Sequence, residues 1–526
     1  MSYCDIFRLT TNVVQCQDGS SSSRDEEITV TDTATAVHAP HKPGGSARWL
    51  ALAVIASAQL MVVLDATIVT ISLPFAQRDL DISDGNRQWM LTAYTLIFGG
   101  LLLLGGRMAD YLGRRRIFII GLIGFAGASA LAGLAQNGAE MFAGRALQGA
   151  FAALLAPAAL SLLSVTFTEP GERATAFGVF AGISAGGAAL GLIAGGALTE
   201  YASWRWCLLV NTPIALLALV GALAWVAKDV PAPRVGGYDM PGAVTVTLGL
   251  IAIVYGFSRA AEDGWLAGGT LALLIAGPVL LAAFVVIERR SSNPLLPLHI
   301  PGEINRGGAF LAALLIPIAM FAMFLFLSYY FQITLGYSAL KAGFAFLPFP
   351  AGIAISAGVT SALLPKLGPR PLMVAGAVLG VIGLVLLAQL GYGDSFLAGV
   401  LPAQVLIALG MGPLFVGMQT VALHQVEEAD SGVASALLNA AQQVGGAVGT
   451  ALLTTISVQV AETFAQDNPG IDNLAARAAI HSYDVAFYVG AGFFLAAIPI
   501  IALMIRDRPQ NLIEGSEDGA RVQVAV

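Results

Sequence analysis

Fourteen stretches of about 20 apolar residues, each separated from the next by a polar break, leave this chain few ways to fold. They run approximately over residues 49–73, 89–106, 117–136, 140–164, 174–199, 206–227, 240–258, 266–288, 307–331, 341–363, 372–391, 395–421, 432–457 and 484–505. A helix rising about 1.5 Å per residue needs roughly 20 residues to cross a hydrocarbon core of about 30 Å. In hydrocarbon the backbone N–H and C=O groups find no water, so a spanning segment must satisfy them internally, as a helix does. Composition agrees: 57% of residues are hydrophobic and 11% charged, against roughly 25% charged in a soluble domain. The expected fold class is therefore an all-α polytopic membrane protein.

The polar breaks give the topology. The sharpest is Gly105 to Arg116, GGRMADYLGRRR, a basic turn with one carboxylate, Asp110, between the second and third runs. Counted with the amino terminus inside, the even-numbered connections hold twelve Lys and Arg residues and the odd-numbered ones five. By the positive-inside rule both termini are expected in the cytoplasm. Residues 1–46 lack the short apolar core and small-residue cleavage site of a signal peptide and read as a retained polar tail. Cys4, Cys16 and Cys207 make no metal or disulfide spacing, and the five histidines fall in the tail or in breaks, so no metal site, cofactor or membrane-embedded catalytic centre is expected.

The chain also repeats weakly. Leu112-Gly113 and Arg115 recur as Leu367-Gly368 and Arg370 at an offset of 255, Gln148 and Pro157 as Gln404 and Pro413 at 256, and Gly178, Gly191 and Gly195 as Gly432, Gly445 and Gly449 at 254. Halves related by an axis along the membrane normal produce such a pattern. The expected organisation is a tail (1–46), a six-helix bundle (47–228), two inserted helices with linkers (229–306), a second six-helix bundle (307–505) and a second tail (506–526).

Few charged side chains sit inside the apolar runs. Asp65, in LDATIVTISLP (Leu64 to Pro74), reads as the one acid well inside a span, and Arg145, in GRALQGAFAALLAP, as the plainest cation. An intramembrane carboxylate is costly unless protonated, paired or hydrated. Burial disfavours its anion and a nearby cation favours it, so a group under both influences can load and release a proton. At about 1.5 Å per residue the two lie at compatible depths, and a pair that forms in one conformation and parts in another is expected. The bland alternatives are a static paired acid and a snorkelling arginine.

Gly182, Gly186, Gly191 and Gly195 space the fifth run for close helix contact. Asn439, Gln442 and Gln443 in the thirteenth either line a hydrated cavity or hydrogen-bond between helices. The aromatic cluster of the ninth run, Phe321, Phe324, Phe326, Tyr329, Tyr330 and Phe331, is expected mostly against lipid or at the membrane interface, with any inward ring free to stack on a flat or cationic ligand.

Together these motifs resemble the major facilitator superfamily, and within it the fourteen-span drug/proton antiporter family, over about residues 47–505. GGRMADYLGRRR is similar to that family's loop motif, LDATIVTISLP to its first-span motif, and GRALQG to its fourth-span motif. Gly182 to Gly196, continued by Ser203-Trp204-Arg205-Trp206 and Asn211, resembles its antiporter motif. The resemblance implies a major facilitator fold of fourteen transmembrane helices (6 + 2 + 6) in the plasma or bacterial inner membrane. It implies a proton-coupled exporter of amphipathic or cationic drugs and toxic compounds, with partners limited to substrate, protons and lipid, and neither enzymatic chemistry nor nucleic acid. Proton coupling would fall to Asp65 and Arg145. The gate would be Gly106, Asp110, Gly113, Arg114 and Arg115, with Asp110 near the start of the thirteenth run at about residue 432. Helix packing would fall to Gly182, Gly186, Gly191, Gly195 and Gly196, and a substrate cavity to Gln148, Phe324, Asn439, Gln442 and Gln443. One departure stands out: where the family's fifth-span motif has a Gly-Pro pair, Gly191 is followed here by Leu192. A dedicated exporter of one endogenous metabolite and a non-transporting membrane sensor are the other readings.

Overall fold

Helices dominate the described residues, 45–167, 169–227, 239–391, 394–426 and 430–506, in this computed structural model. The tails, 1–44 and 507–526, and the linker 228–238 with Lys228 and Arg234 lie outside the described residues. In chain order the long helices are α1 Gly45–Asp79, α2 Trp89–Leu112, α3 Arg114–Gly133, α4 Gly138–Thr166 and α5 Pro170–Tyr201. They continue as α6 Trp206–Trp225, α7 Met240–Asp263, α8 Gly268–Arg290, α9 Ile304–Thr334, α10 Ala339–Leu367, α11 Pro369–Leu387, α12 Phe396–Leu423, α13 Ser431–Asp467 and α14 Leu474–Met504. Thirteen helices among the described residues are long and apolar enough to cross a membrane. The 32-residue α5 adds a fourteenth of ample length, about 48 Å at about 1.5 Å per residue.

Several helices outrun their apolar stretches. α14 begins at Leu474 rather than near 484, and α13 runs to Asp467 rather than 457. Hydropathy marks where hydrocarbon begins, whereas a helix continues until its backbone bonds are broken or capped. One expectation changes with α14. His481 falls two turns inside it, so not every histidine is in a break, and Asp484, at the edge of the apolar stretch, is three turns inside the same helix.

Turn chemistry repeats with the sequence. Gly113, between α2 and α3, has φ 98°, and Gly368, between α10 and α11, has φ 77°, values that L side chains adopt only with strain. The α4 start is set by a reciprocal cap: Asn137 Oδ1 accepts from the Glu140 N–H at 3.0 Å and Glu140 Oε2 from the Gln136 N–H at 2.8 Å. That cap places Arg145 two turns into the helix.

α4 is embedded between α2 and α3. The approach is close enough that a Cβ on Gly149 would run into the Tyr94 carbonyl. α1 packs along α5, and α6 along α1 and α3, completing the first bundle. In the second, α9, α11 and α13 pack on α14, and α12 on α10 and α11. α7 and α8 pair with each other, and α7 touches both α2 and α13, with Thr455 Oγ1 donating to the Phe257 carbonyl at 2.7 Å.

Polar breaks alternate between two faces. At the face of the α1–α2 connection the bundles are locked together. Ser328 Oγ donates to the Thr70 carbonyl at 2.8 Å, Gln332 Nε2 to Ile71 at 3.1 Å, and the Leu340 N–H to Glu200 Oε2 at 2.9 Å. Tyr329 Oη donates to Gln77 Oε1, and the Arg87 guanidinium lies 4.4 Å over the Tyr329 ring. Burial works against the Arg87 charge, but Tyr329, Tyr483 and Asp84 outweigh it and hold the guanidinium above its ordinary value. Toward the α2–α3 face, Cβ atoms on Gly178, Gly182 and Gly186 of α5 and Gly358 of α10 would meet nothing within 4 Å.

Candidate functional site

Asp65 is fully buried in α1 and meets Arg145, 1% exposed in α4. Arg145 Nη1 donates to Asp65 Oδ2 at 2.6 Å, and to Gln148 Oε1 at 2.8 Å, while its Nε reaches the Met90 carbonyl at 3.0 Å. Asp65 Oδ1 accepts from Asn211 Nδ2 at 2.7 Å and Gln148 Nε2 at 3.1 Å. Ser129 from α3 closes the set: its hydroxyl accepts from both amides and donates to the Leu208 carbonyl at 2.7 Å. The Arg145 guanidinium also sits 4.5 Å over the Tyr94 ring of α2. A buried ion pair needs such additional bonds, because desolvation offsets most of the Coulomb gain.

Between the bundles lies a cavity of about 450 Å³. The first bundle contributes Thr67, Thr70, Tyr94, Thr95 and Arg145, and the second Met320, Phe321, Phe324, Phe349, Met411, Met418, Gln442 and Gln443. Phe324 meets Phe349 edge-on at 5.0 Å. Aromatic and thioether side chains adapt to varied apolar shapes, and a few polar groups orient what they hold. Arg145 belongs to both arrangements: it lines the cavity and holds Asp65 behind the wall.

A sequence model of the Major Facilitator Superfamily matches residues 55–450. The chain belongs to that superfamily. Among its relatives are the puromycin resistance protein pur8 of Streptomyces alboniger, 47% identical over 88% of this chain and 92% of the relative. The cephamycin export protein CmcT of Amycolatopsis lactamdurans is 35% identical over 89% and 95%. The fold is shared with the crystal structure of the peptide transporter POT in complex with sulfate, at a TM-score of 0.62 and 17% identity, covering 87% of this chain and 96% of that one. This superfamily member is thus a multi-span helical membrane transporter, and the relatives above are named for antibiotic resistance and export.

The structure separates the sequence-picked residues. Phe324, Gln442 and Gln443 line the cavity, but Gln148 is buried in the Asp65 cluster and Asn439 is exposed, its amide on the Ser435 carbonyl at 3.0 Å. Gly191 and Gly195 press on α1 at the Leu64 and Ile68 carbonyls, and Gly196 on Leu340 of α10, whereas a Cβ on Gly182 or Gly186 would meet nothing within 4 Å among the described residues. The expected turn over Gly105 to Arg116 is corrected: residues 105–112 continue α2 and 114–116 open α3, so Gly113 alone separates the helices. Within α2, Gly106 has its nearest neighbour for a Cβ at 3.8 Å, while a Cβ on Gly105 would strike the Ala153 carbonyl. Arg115 Nη2 donates to the Leu223 carbonyl at 2.9 Å. Arg114 opens α3. The Asp110 side chain lies outside the described residues. The aromatic expectation is corrected: Phe326, Tyr329, Tyr330 and Phe331 are buried between helices, Phe326 stacking on Tyr483 at 5.2 Å, and do not face lipid. Sequence reasoning missed Ser129 and Tyr94. Their only signal is a hydroxyl and a phenol inside apolar runs, which many packed helices contain.

Proposed function

We propose that this protein is a proton-coupled exporter of amphipathic, antibiotic-like compounds working by alternating access. One observation carries the reading: Arg145 lines the substrate-sized cavity while its guanidinium is neutralised by Asp65 from behind. With Asp65 ionised the pair is neutral and the cavity accepts a cationic amphiphile on its Phe and Met wall. A proton on Asp65 cancels the anion and leaves the Arg145 charge uncompensated against the cavity. Proton and cationic substrate then favour opposite occupancies, which is the requirement for exchange. The relatives named for puromycin resistance and cephamycin export supply the substrate class.

The basic α2–α3 face is the cytoplasmic one by the positive-inside rule, so the arrangement described above is open inward. The bundles 47–228 and 307–505 rock about the cavity, and the α2–α3 turn with Gly106, Asp110, Gly113, Arg114 and Arg115 is the inner gate. In the outward-open state Gly182 and Gly186 of α5 close on α10, a role for small residues with open space before them among the described residues.

Efflux of a fluorescent lipophilic cation from cells, with the proton gradient intact and then collapsed, tests the reading. Gradient-dependent efflux that falls to background in Asp65→Asn, with the protein still folded in the membrane, is the expected result. Full coupled efflux in that variant overturns the assignment of Asp65. A second reading, a dedicated exporter of one metabolite, draws on relatives that are each named for a single compound. Retention of the dye but gradient-dependent export of one such compound would select it.

A further inference from the structure

A pair of acids, far along the chain from Asp65, lies where α7 begins and α8 ends. Asp239 caps α7, its Oδ1 accepting from the Gly242 N–H at 2.8 Å. Glu288, in the last turn of α8, accepts from the Leu296 N–H on Oε2 at 3.0 Å. Asp239 is 7% exposed and Glu288 3%. Their remaining oxygens, Asp239 Oδ2 and Glu288 Oε1, are buried and have no hydrogen-bond partner among the described residues. The two carboxyls converge: a Cβ added to Gly242 would lie 2.8 Å from Glu288 Oε1 and 3.0 Å from Asp239 Oδ1. Among the described residues the facing charges are each other and the Arg107 guanidinium from α2, whose Nη2 donates to the Pro294 carbonyl at 2.9 Å. Arg289 and Arg290, next on α8, are exposed.

Two buried carboxylates sharing one site cannot both ionise cheaply, and an orphaned buried oxygen costs free energy that one proton between them removes. A calcium-like cation would take six or more oxygen ligands. Among the described residues no cluster of three acids, histidines or cysteines exists to supply them.

We infer that Asp239 and Glu288 form a proton-binding site separate from Asp65, a carboxylic acid and carboxylate holding one proton between α7 and α8. The site sits under the segment 291–298 that leads into α9. Glu288 holds that segment at Leu296 and Arg107 holds it at Pro294. Proton loss sets two anions against each other and loosens the inserted hairpin from this strap. The inference stands without the antiport reading, since it concerns groups outside the cavity.

The test is infrared difference spectroscopy of the purified full-length protein between about pH 5 and about pH 9, read as wild type minus variant so that the partial titration of ordinary carboxyls cancels. Wild type and Asp65→Asn should both lose a protonated-carboxyl band on alkalinisation. The band should be smaller by one carboxyl in Glu288→Gln and, independently, in Asp239→Asn, because a side-chain amide donates permanently to the remaining carboxylate. Asn keeps the cap on α7, so either variant suffices if the other fails to fold. A band that neither substitution diminishes, or its absence from wild type, overturns the inference. So does a thermal stability that depends on added sodium or divalent cations in wild type and not in the variants, which would make the site a cation site.

Discussion

Arg145 in α4 and Leu401 in α12 hold matching places, three residues before Gln148 and Gln404, at the offset of 256 that also relates Pro157 to Pro413. In the first half the glutamine is bonded to Asp65, Arg145 and Ser129. In the second, Gln404 is equally buried, and neither its Nε2 nor its Oε1 has a partner among the described residues. α9, the counterpart of α1, contains no acid at all. The same helical architecture therefore stands with leucine where the first half has arginine. The difference teaches that the charged cluster is not what holds a bundle of this kind together, and that its cost in desolvation is borne for another purpose.

The strongest way to break this comparison is to make the first half resemble the second. Arg145→Leu strands the Asp65 anion and should cost about 3–5 kcal/mol with efflux at background, read by thermal unfolding in detergent and by dye efflux. The double variant Asp65→Leu/Arg145→Leu should regain stability to within about 1–2 kcal/mol of wild type while efflux stays lost. A double variant as unstable as the single would make the cluster structural.

The glutamines sharpen the point. Gln148→Leu removes a donor from a buried carboxylate and should cost about 1–3 kcal/mol, whereas Gln404→Leu should be neutral or stabilising by up to about 1 kcal/mol. Equal losses in melting experiments would mean that the two halves are polar alike.

Where the halves are built alike, they should respond alike. Gly113→Ala and Gly368→Ala each force a side chain into a positive-φ turn and should each cost about 1–3 kcal/mol in the same unfolding assay. The smallest effect is expected at the seam itself. Tyr329→Phe removes the hydroxyl that reaches Gln77, worth about 1 kcal/mol. Alkylation of a cysteine at Ser328 should then rise about fivefold; an unchanged rate would show that this bond does not hold the face closed.

How far the site was legible differed by residue. Asp65 and Arg145 stood out because each is a charge in a long apolar run, where desolvation makes any charge conspicuous. Asn439, Gln442 and Gln443 share one helix, and nothing along the chain says which turn faces the cavity; Gln442 and Gln443 do and Asn439 does not. The aromatic residues of α9 read as lipid-facing because hydropathy does not distinguish hydrocarbon from a packed interior. Asp239 and Glu288 lie 49 residues apart at the polar edges of two spans, so each resembles an ordinary interfacial acid until α7 and α8 are set side by side.

Sequence alone determined the helical membrane fold, the repeated halves and the two charges most worth testing. Backbone satisfaction in lipid, small residues at regular spacing and the cost of a buried charge are all written along one dimension. Tertiary structure decided which face of the molecule is locked, that Arg145 touches the cavity while Asp65 stands behind it, and that two distant acids meet with unpaired oxygens. Those are facts about which surfaces of separate helices come within a few ångströms, and helix spacing constrains the faces of one helix without naming its neighbour.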